Sequence, residues 1–242
     1  MEFINLLLLI ICNFIANNSE SIFNSLATLF AAFIGAWFAF RLQNKNDLNK
    51  EESIKHLSGN KVLFQLMDEI NWLHNLQDQQ INPYRTDPAR MFRMKPDISM
   101  PPESAMDIEC LSFILLTKHA DLLGKLAIER RKFEQAVQIQ KRRSTFYLED
   151  IYPVLEKGGI KHGQDMDEQE LRNLLGDQKW MLLESLTNHL IEQVDQTISS
   201  HTNMASELQS ALTITMPKRK FIKFSIIDAI ETSSKDSVNN TN

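Results

Sequence analysis

Residues 22–40 read IFNSLATLFAAFIGAWFAF and contain no charged side chain. A helix of this length, rising about 1.5 Å per residue, covers roughly 28 Å, which nearly matches the hydrocarbon core of a bilayer. Arg41 follows directly. A buried helix of a soluble protein is the alternative, but a long uncharged stretch followed by Arg is rare in such helices. The stretch therefore predicts a membrane-spanning helix.

Small residues recur at every fourth position of this stretch, at Ala27, Ala31, Gly35 and Ala39. On a helix they form one flat stripe, called the small-residue stripe below, along which two backbones can approach closely. Lipid provides no hydrophobic force that drives helices together, so close packing is a principal source of contact energy. The stripe predicts that this helix packs against another helix in the bilayer, from the same chain or from a second copy.

A second apolar run covers residues 3–16 and is interrupted by Asn5 and Asn13. It is short for a span, at roughly 21 Å of helix. A secretory signal peptide fits poorly, because no basic residue precedes the run and residues 17–21 lack a small-x-small cleavage site. We therefore predict a transmembrane helical hairpin that turns at residues 17–21. The alternative is a single span over residues 22–40 with a partly embedded N-terminus.

Charge predicts the orientation of this membrane segment, residues 1–42. All 26 lysines and arginines follow residue 40, beginning with Arg41 and Lys45. The positive-inside rule then places the remainder of the chain in the cytoplasm. The remainder also holds 29 of the 31 acidic residues, which gives it a net charge of about −3. That balance excludes a globally basic nucleic-acid-binding domain, although it leaves room for a local basic face.

About 200 residues follow the membrane segment, enough for one domain with its own core. Long heptad-like apolar patterns and only 7 glycines indicate helices, so the predicted fold class is mainly α, a helical bundle or coiled-coil-like domain. We predict a stalk helix over residues 43–80 that continues the membrane helix, then a Pro-rich loop over 81–104. A cytoplasmic helical domain over 105–230 and a disordered tail over 231–242 follow.

Local signals predict where these helices end. Gly59 indicates a kink or break in the stalk, and a break near His119 divides the middle apolar pattern into two helices. Glycines within residues 158–163 predict a turn, followed by a helix that runs to Leu212. The sequence KFIKFSII, residues 220–227, predicts a short strand or an extended strap.

The sequence shows no catalytic motif. The turn GGIKHGQ over residues 158–164 lacks the Lys and Ser/Thr that follow the last glycine of a phosphate loop. The six histidines form no HxxxH or HxH pair, the acids of DMDEQE lack calcium-loop spacing, and Cys12 and Cys110 give no metal-ligand spacing. We therefore expect no enzyme activity, no cofactor and no metal. An enzyme would need a site assembled in three dimensions, such as a pocket that holds a histidine and two carboxylates.

Two basic triplets stand 11 residues apart in the predicted helical domain. Their members are Arg130, Arg131 and Lys132, then Lys141, Arg142 and Arg143. Eleven residues make about three helical turns, so the triplets recur on nearly the same face, roughly 16 Å apart. Such a face can hold the phosphates of nucleic acid, an acidic protein or anionic lipid headgroups. A solvated helix face, with Glu129 and Glu134 beside it, is the alternative.

Two classes of function fit the small-residue stripe. In the first, the protein is a membrane-active effector: a partner restrains the helical domain, and its release lets the stripes of several copies associate and permeabilise the membrane. In the second, the protein is a membrane-tethered scaffold or adaptor. The stripe then packs the hairpin or a dimer, and the helical domain docks a cytoplasmic partner.

The layout of an apolar run over 3–16, a five-residue turn, an apolar span over 22–40 and a cytosolic helical domain resembles the two-transmembrane effectors of bacterial retron anti-phage defence systems. The resemblance covers the organisation of the chain rather than a motif. It implies a toxin-like, multi-pass protein of the bacterial inner membrane, held inactive by a reverse transcriptase with its RNA–DNA product. The basic triplets are then candidate contacts of that nucleoprotein.

Overall fold

The structure, a computed structural model, describes residues 2–96, 100–102, 106–160 and 167–223. It divides into two compact units, Met1–Ile54 and Lys55–Asn242. The predicted disordered tail over 231–242 lies outside the described residues, as does the part of the predicted strand or strap beyond residue 223.

The described residues are mainly helical, which confirms the predicted fold class, and they contain no strand. The helices are α1 Glu2–Leu76, α2 Arg90–Arg93, α3 Asp121–Phe146, α4 Tyr152–Lys157, α5 Glu168–Leu175 and α6 Asp177–Thr215. Short π-helical turns cover Gln77–Ile81 and Tyr147–Ile151, and 3₁₀ segments cover Asn82–Tyr84 and Ile108–Leu116. A break near His119 is confirmed, because the second 3₁₀ segment ends before α3 begins.

Helix α1 passes without interruption through two places where the sequence predicted a turn or a break. Residues 17–21 are helical, so the predicted turn is wrong, and with it the helical hairpin. These residues include neither Gly nor Pro, and ordinary polar residues each cost a helix less than about 0.7 kcal/mol relative to Ala. Gly59 also stays helical: a Cβ there would lie 2.9 Å from Phe221, so Gly59 provides room for packing rather than a break.

In the first unit, α1 is the only element, and every described side chain from Phe23 to Ile54 is exposed. The described apolar side chains of the span therefore pack against no other described residue of this unit. Thr28 donates its hydroxyl to the carbonyl oxygen of Asn24 at 2.8 Å, which satisfies this polar group inside the helix itself.

In the second unit, three apolar clusters fill the space between helices. The first cluster includes Leu63, Leu66, Leu126, Met204 and Leu208. The second cluster includes Trp72, Leu73, Phe133, Leu190 and Val194. The third cluster includes Met91, Tyr147, Ile151, Trp180 and Leu183. Helix α6 contributes to all three clusters, so it is the element around which the unit is built.

The Pro-rich segment is more ordered than a loop or hinge. Pro83 lies at the start of the 3₁₀ turn Asn82–Tyr84, where its missing N–H removes no hydrogen bond. Arg85 donates to both carboxylate oxygens of Asp195 on α6, at 2.7 and 2.9 Å. Such bidentate pairing fixes the segment against the bundle.

The predicted long helix to Leu212 is divided at Gly176. This glycine has φ +79°, a conformation that residues with a Cβ rarely adopt, so α5 ends and α6 begins there. After α6 the chain turns at residues 217–219, and residues 220–223, called the strap below, form neither helix nor strand. The backbone N–H of Ile222 donates to Asn60 Oδ1 at 3.0 Å, and Phe221 is buried in the first cluster.

Candidate functional site

Among the described residues of the first unit, the small-residue stripe has no partner. Ala27, Ala31, Gly35 and Ala39 are all exposed, and a Cβ added to Gly35 would meet no atom within 4 Å. One helix in the described part of the chain is long and apolar enough to cross a membrane, as judged by length and composition. Apolar surface of this extent marks an interaction site or a membrane contact.

Aromatic and basic side chains meet at the C-terminal end of the span. The guanidinium carbon of Arg41 lies 5.3 Å from the centroid of the Trp37 ring, a cation–π geometry. Trp residues concentrate at the boundary between hydrocarbon and water, and Arg ends a membrane span. Trp37 and Arg41 therefore suit the headgroup region.

Asn24 lies on the same helix face as the small-residue stripe, a feature that the sequence analysis did not use. It precedes Ala27 by one turn and Ala31 by two turns, which places it in line with both. Among the described residues none hydrogen-bonds its side-chain amide. An Asn on a membrane helix gains by hydrogen-bonding to a neighbouring helix, so Asn24 is a candidate polar contact on the face of the stripe.

The two basic triplets do not form one continuous ladder, because one member is part of the core. Arg143 is 1% exposed and donates to Thr187 Oγ1 at 3.0 Å and to the carbonyl oxygens of Met91 and Met94 at 3.0 and 2.8 Å. Burial lowers the pKa of its guanidinium to about 10. Arg143 is thus a structural residue, and the prediction that it contacts a partner is wrong.

The other five basic residues divide into paired and unpaired groups. Arg130 binds Glu134 at 2.9 Å and Lys132 binds Glu129 at 2.7 Å, so both are engaged within the unit. Arg131, Lys141 and Arg142 are exposed, and the described residues give them no ion pair. These three side chains, called the basic face of α3 below, are the part of the ladder that a partner can reach.

A histidine and two carboxylates meet in the interior of the second unit, between the first and second clusters. The ring of His201 on α6 places Nε2 3.1 Å from Glu69 Oε2 of α1 and Nδ1 3.1 Å from Glu129 Oε2 of α3. His201 is 0% exposed, Glu69 3% and Glu129 8%. Together with Lys132 we call them the charged layer.

Glu129 is the best-satisfied carboxylate of the charged layer. Ser200 Oγ donates to it at 2.6 Å and Lys132 Nζ at 2.7 Å, in addition to His201. Burial opposes its ionisation, but the hydrogen bonds from Lys132 and Ser200 and the nearby positive charges outweigh burial and lower its pKa. Glu129 is therefore ionised at neutral pH.

The charged layer is not a catalytic or metal site. Its histidine is fully buried, so no substrate reaches the ring. The two ring nitrogens face different carboxylates, whereas a metal needs its ligands around one point. In the described ranges no group of three or more His, Cys, Asp or Glu side chains is placed to hold a metal ion. The arrangement can hold α1, α3 and α6 together by hydrogen bonds and ion pairs.

Sequence reasoning missed the charged layer, although a signal was present. Glu69, Glu129 and His201 occupy core positions of their helices' apolar patterns. The flanking core residues are Leu66 and Trp72 on α1, Leu126 and Phe133 on α3, and Val194 and Met204 on α6. Charged residues at the apolar positions of a helical pattern predict a buried polar layer. They do not predict which of these residues pair with one another.

No family model matches the chain, and neither curated proteins nor solved structures give a match. The functional conclusions therefore depend on the exposed apolar helix, the basic face of α3 and the charged layer.

Proposed function

We propose that the protein is an integral protein of the bacterial inner membrane, anchored by residues 22–40, with the second unit in the cytoplasm. The observation that carries the proposal is the exposure of every side chain from Phe23 to Phe40. Apolar surface in water costs about 25 cal/mol per Å², and a bilayer removes that cost. Arg41 and the lysines after it support the cytoplasmic orientation.

The continuity of α1 supports a single span rather than a multi-pass hairpin. A helix from residue 2 to residue 40 is about 58 Å long, roughly twice the thickness of the hydrocarbon core. One unbroken helix therefore cannot place residues 3–16 and 22–40 across the same bilayer. A single span puts the N-terminus outside the cytoplasm, whereas a hairpin puts it inside.

Cysteine labelling distinguishes these topologies. In a chain whose Cys12 and Cys110 are replaced by serine, we expect Glu2→Cys to react with a membrane-impermeant maleimide in intact cells. Lys50→Cys should react only after lysis and serves as the matched control. Protection of Glu2→Cys in intact cells, with labelling after lysis, would establish the hairpin instead.

The proposed activity is that of a membrane effector that acts through association of its membrane helices. Copies associate through the small-residue stripe and Asn24, and the assembled spans perturb the membrane. A partner that holds the second unit keeps copies apart, and its release activates them. Following the retron resemblance, the proposed setting is anti-phage defence, and the proposed partner is a reverse transcriptase with RNA–DNA on the basic face of α3.

Membrane potential after induced expression tests this activity. In a bacterium that lacks a restraining partner, we expect the wild-type chain to depolarise the inner membrane. Gly35→Leu places a bulky side chain in the stripe and should abolish depolarisation. Ala36→Leu makes the same kind of change about 100° around the helix and should retain it.

Expression and membrane insertion of all three chains must be equal by fractionation for this comparison. Depolarisation by Gly35→Leu as well as by the wild type would show that the stripe does not assemble the lesion. A normal potential with every chain, despite equal insertion, would favour the second candidate function.

That second candidate is a membrane-tethered scaffold, which uses the same basic face of α3 to dock a partner but needs no activity of the membrane helix. Arg131, Lys141 and Arg142 are exposed on a rigid helix, without ion pairs in the described part of the unit, which suits docking of an acidic or phosphate-bearing partner. In this case Arg131→Glu with Arg142→Glu should abolish partner recruitment to the membrane while Gly35→Leu leaves it intact.

A further inference from the structure

The geometry of the charged layer determines how many protons the His201 ring must carry to satisfy both of its neighbours. A carboxylate oxygen only accepts hydrogen bonds, and both ring nitrogens of His201 lie 3.1 Å from carboxylate oxygens. Both nitrogens can donate only when the imidazole carries two protons. In the neutral ring, one nitrogen would direct its lone pair at a buried carboxylate.

The doubly protonated ring also makes the charged layer electrically neutral. Glu69 and Glu129 contribute two negative charges, and Lys132 and His201 contribute two positive charges. Glu129 keeps Lys132 and Ser200 as partners if the ring loses a proton. His201 is the only hydrogen-bond partner of Glu69 among the described residues, so a neutral ring leaves Glu69 with at most one uncharged donor, the Nε2–H group. Loss of one proton would leave Glu69 buried without a countercharge, which is strongly unfavourable.

The charged layer lies where α1 joins the bundle of the second unit. The α1 part of the first cluster ends at Leu66, and the α1 part of the second begins at Trp72. Glu69 lies between them and is the residue through which α1 contacts the histidine of α6. This buried ion pair between α1 and α6 therefore depends on a single removable proton.

We propose that His201 is a proton-dependent latch that fastens the α1 segment 62–76 to α3 and α6. With two protons on the ring, the charged layer is neutral and the latch is closed. When the ring loses one proton, Glu69 stays buried without a countercharge and the α1 segment opens more often. The groups that face His201 are Glu69 from α1, Glu129 with Lys132 from α3, and Ser200 and the Phe133 ring at its sides.

The latch goes beyond the proposed function and does not require residues 22–40 to span a membrane. It concerns contacts inside the second unit alone. If membrane depolarisation fails, the latch is unaffected, and if the latch fails, the membrane proposal stands. Where both hold, the latch gives the cytoplasmic unit a way to control the helix that also carries the span.

Hydrogen exchange of the full chain in detergent micelles tests the latch. The measured quantity is the opening constant of peptides that cover residues 62–76, after correction of the intrinsic exchange rates for pH. In the wild type this constant should rise as the pH is raised from about 6 to about 9. For a latch that depends on one proton, this rise cannot exceed about tenfold per pH unit. In Glu69→Gln, the amide can donate to a neutral ring, so the opening constant should change less than about twofold.

Glu192→Gln is the matched control, because Glu192 is exposed on α6 and, among the described residues, accepts a hydrogen bond only from Gln196. It should follow the wild-type pH dependence. The latch is refuted if Glu69→Gln keeps the same pH dependence as the wild type.

A second measurement covers the case in which Glu69→Gln does not fold. Nitrogen-15 spectra of labelled histidine in the wild-type chain report both ring nitrogens, and His201→Gln identifies the resonances of this residue. We expect both nitrogens of His201 to be protonated near pH 6. A neutral ring at that pH in the folded chain would overturn the proposal.

Discussion

The two units of this protein each reverse the usual rule of burial, and they do so in opposite ways. The first unit exposes apolar side chains, such as Phe30 and Phe33, each 69% exposed. The second unit buries charged ones, such as Glu69 and Arg143. An exposed apolar helix is stable when its surroundings are apolar, whereas a buried charge is stable only when the protein supplies its partners.

The second unit supplies those partners in two different ways. The charged layer balances opposite charges across α1, α3 and α6. Arg143 instead is held by the dipoles of two carbonyl groups and a hydroxyl, and no carboxylate of the described residues hydrogen-bonds it. Burial lowers the pKa of its guanidinium to about 10, because these uncharged groups do not fully replace the stabilisation that water gives the charge. The difference indicates that the Arg143 site orders the α2 region, while the charged layer is poised to respond to a proton.

The largest expected effect is on the Arg143 site. Arg143→Ala removes three hydrogen bonds, leaves the carbonyls of Met91 and Met94 without their donor and opens a cavity. We expect a loss of about 3 kcal/mol or more in the free energy of unfolding, measured by denaturant titration in micelles.

Arg142→Ala is the natural control, since it changes the adjacent exposed residue and should alter stability by less than about 0.5 kcal/mol. Arg143→Met refills much of the cavity but not the hydrogen bonds, so its effect should fall between the two. Equal stability of the Arg142 and Arg143 variants would contradict a structural role for Arg143.

The next effect tests whether the first unit is exposed to lipid rather than to water. Leu29→Arg introduces a charge at the middle of the span, where insertion experiments assign a cost of about 2.5–3.5 kcal/mol. We expect the carbonate-resistant membrane fraction to fall. Leu48→Arg makes the same change at an exposed residue of the same helix beyond Arg41, and it should remain in the membrane. If both variants stayed in the membrane fraction equally, residues 22–40 would not be the anchor.

A smaller effect concerns the close packing of α1 against the strap. At Gly59 an added Cβ would lie 2.9 Å from Phe221 Cε1 and 3.0 Å from Leu212 Cδ1, both buried side chains. Gly59→Val should therefore cost about 1–3 kcal/mol of unfolding free energy by overpacking. Gly124→Ala in α3 meets no atom within 4 Å and should instead gain about 0.5–1 kcal/mol through helix propensity. Stabilisation by both substitutions would show that the strap does not pack at Gly59.

Local sequence signals were enough for the helical fold class and for several boundaries. Two features depend on neighbouring residues alone, and local patterns therefore predict them well. They are the uncharged stretch over residues 22–40 and the break near His119. The turn predicted at residues 17–21 failed because polar residues without Gly or Pro permit a helix as readily as a turn. The break at Gly176 was missed because a single glycine inside a helical pattern does not reveal its φ angle.

The buried polar sites were beyond the reach of local patterns for a different reason. Glu69 and His201 are 132 residues apart, and Arg143 and Thr187 are 44 apart. A charged residue on a helix is usually solvated, and only the arrival of another helix decides that it is buried. The basic triplets thus looked uniform in sequence, although Arg142 is exposed and Arg143 is in the core.

The smallest effect comes from the ion pair of Arg85 with Asp195. The pKa of Asp195 is lowered, chiefly because Arg85 donates hydrogen bonds to its carboxylate, with burial opposing and Gln77 assisting. A carboxyl whose pKa is lower in the folded state stabilises the fold at neutral pH, and this contribution disappears as pH falls through the folded-state pKa. Because both side chains are 37% exposed, solvent screening limits it to about 0.5–1 kcal/mol.

Asp195→Asn should therefore lower the unfolding free energy by that amount at pH 7, and the difference from the wild type should shrink on acidification below about pH 4. Asp68→Asn, at an exposed carboxylate without a partner among the described residues, should show no such difference at any pH. A constant difference for Asp195→Asn across this range would mean that packing or an amide contact, rather than the charge of Asp195, holds the Pro-rich segment to α6.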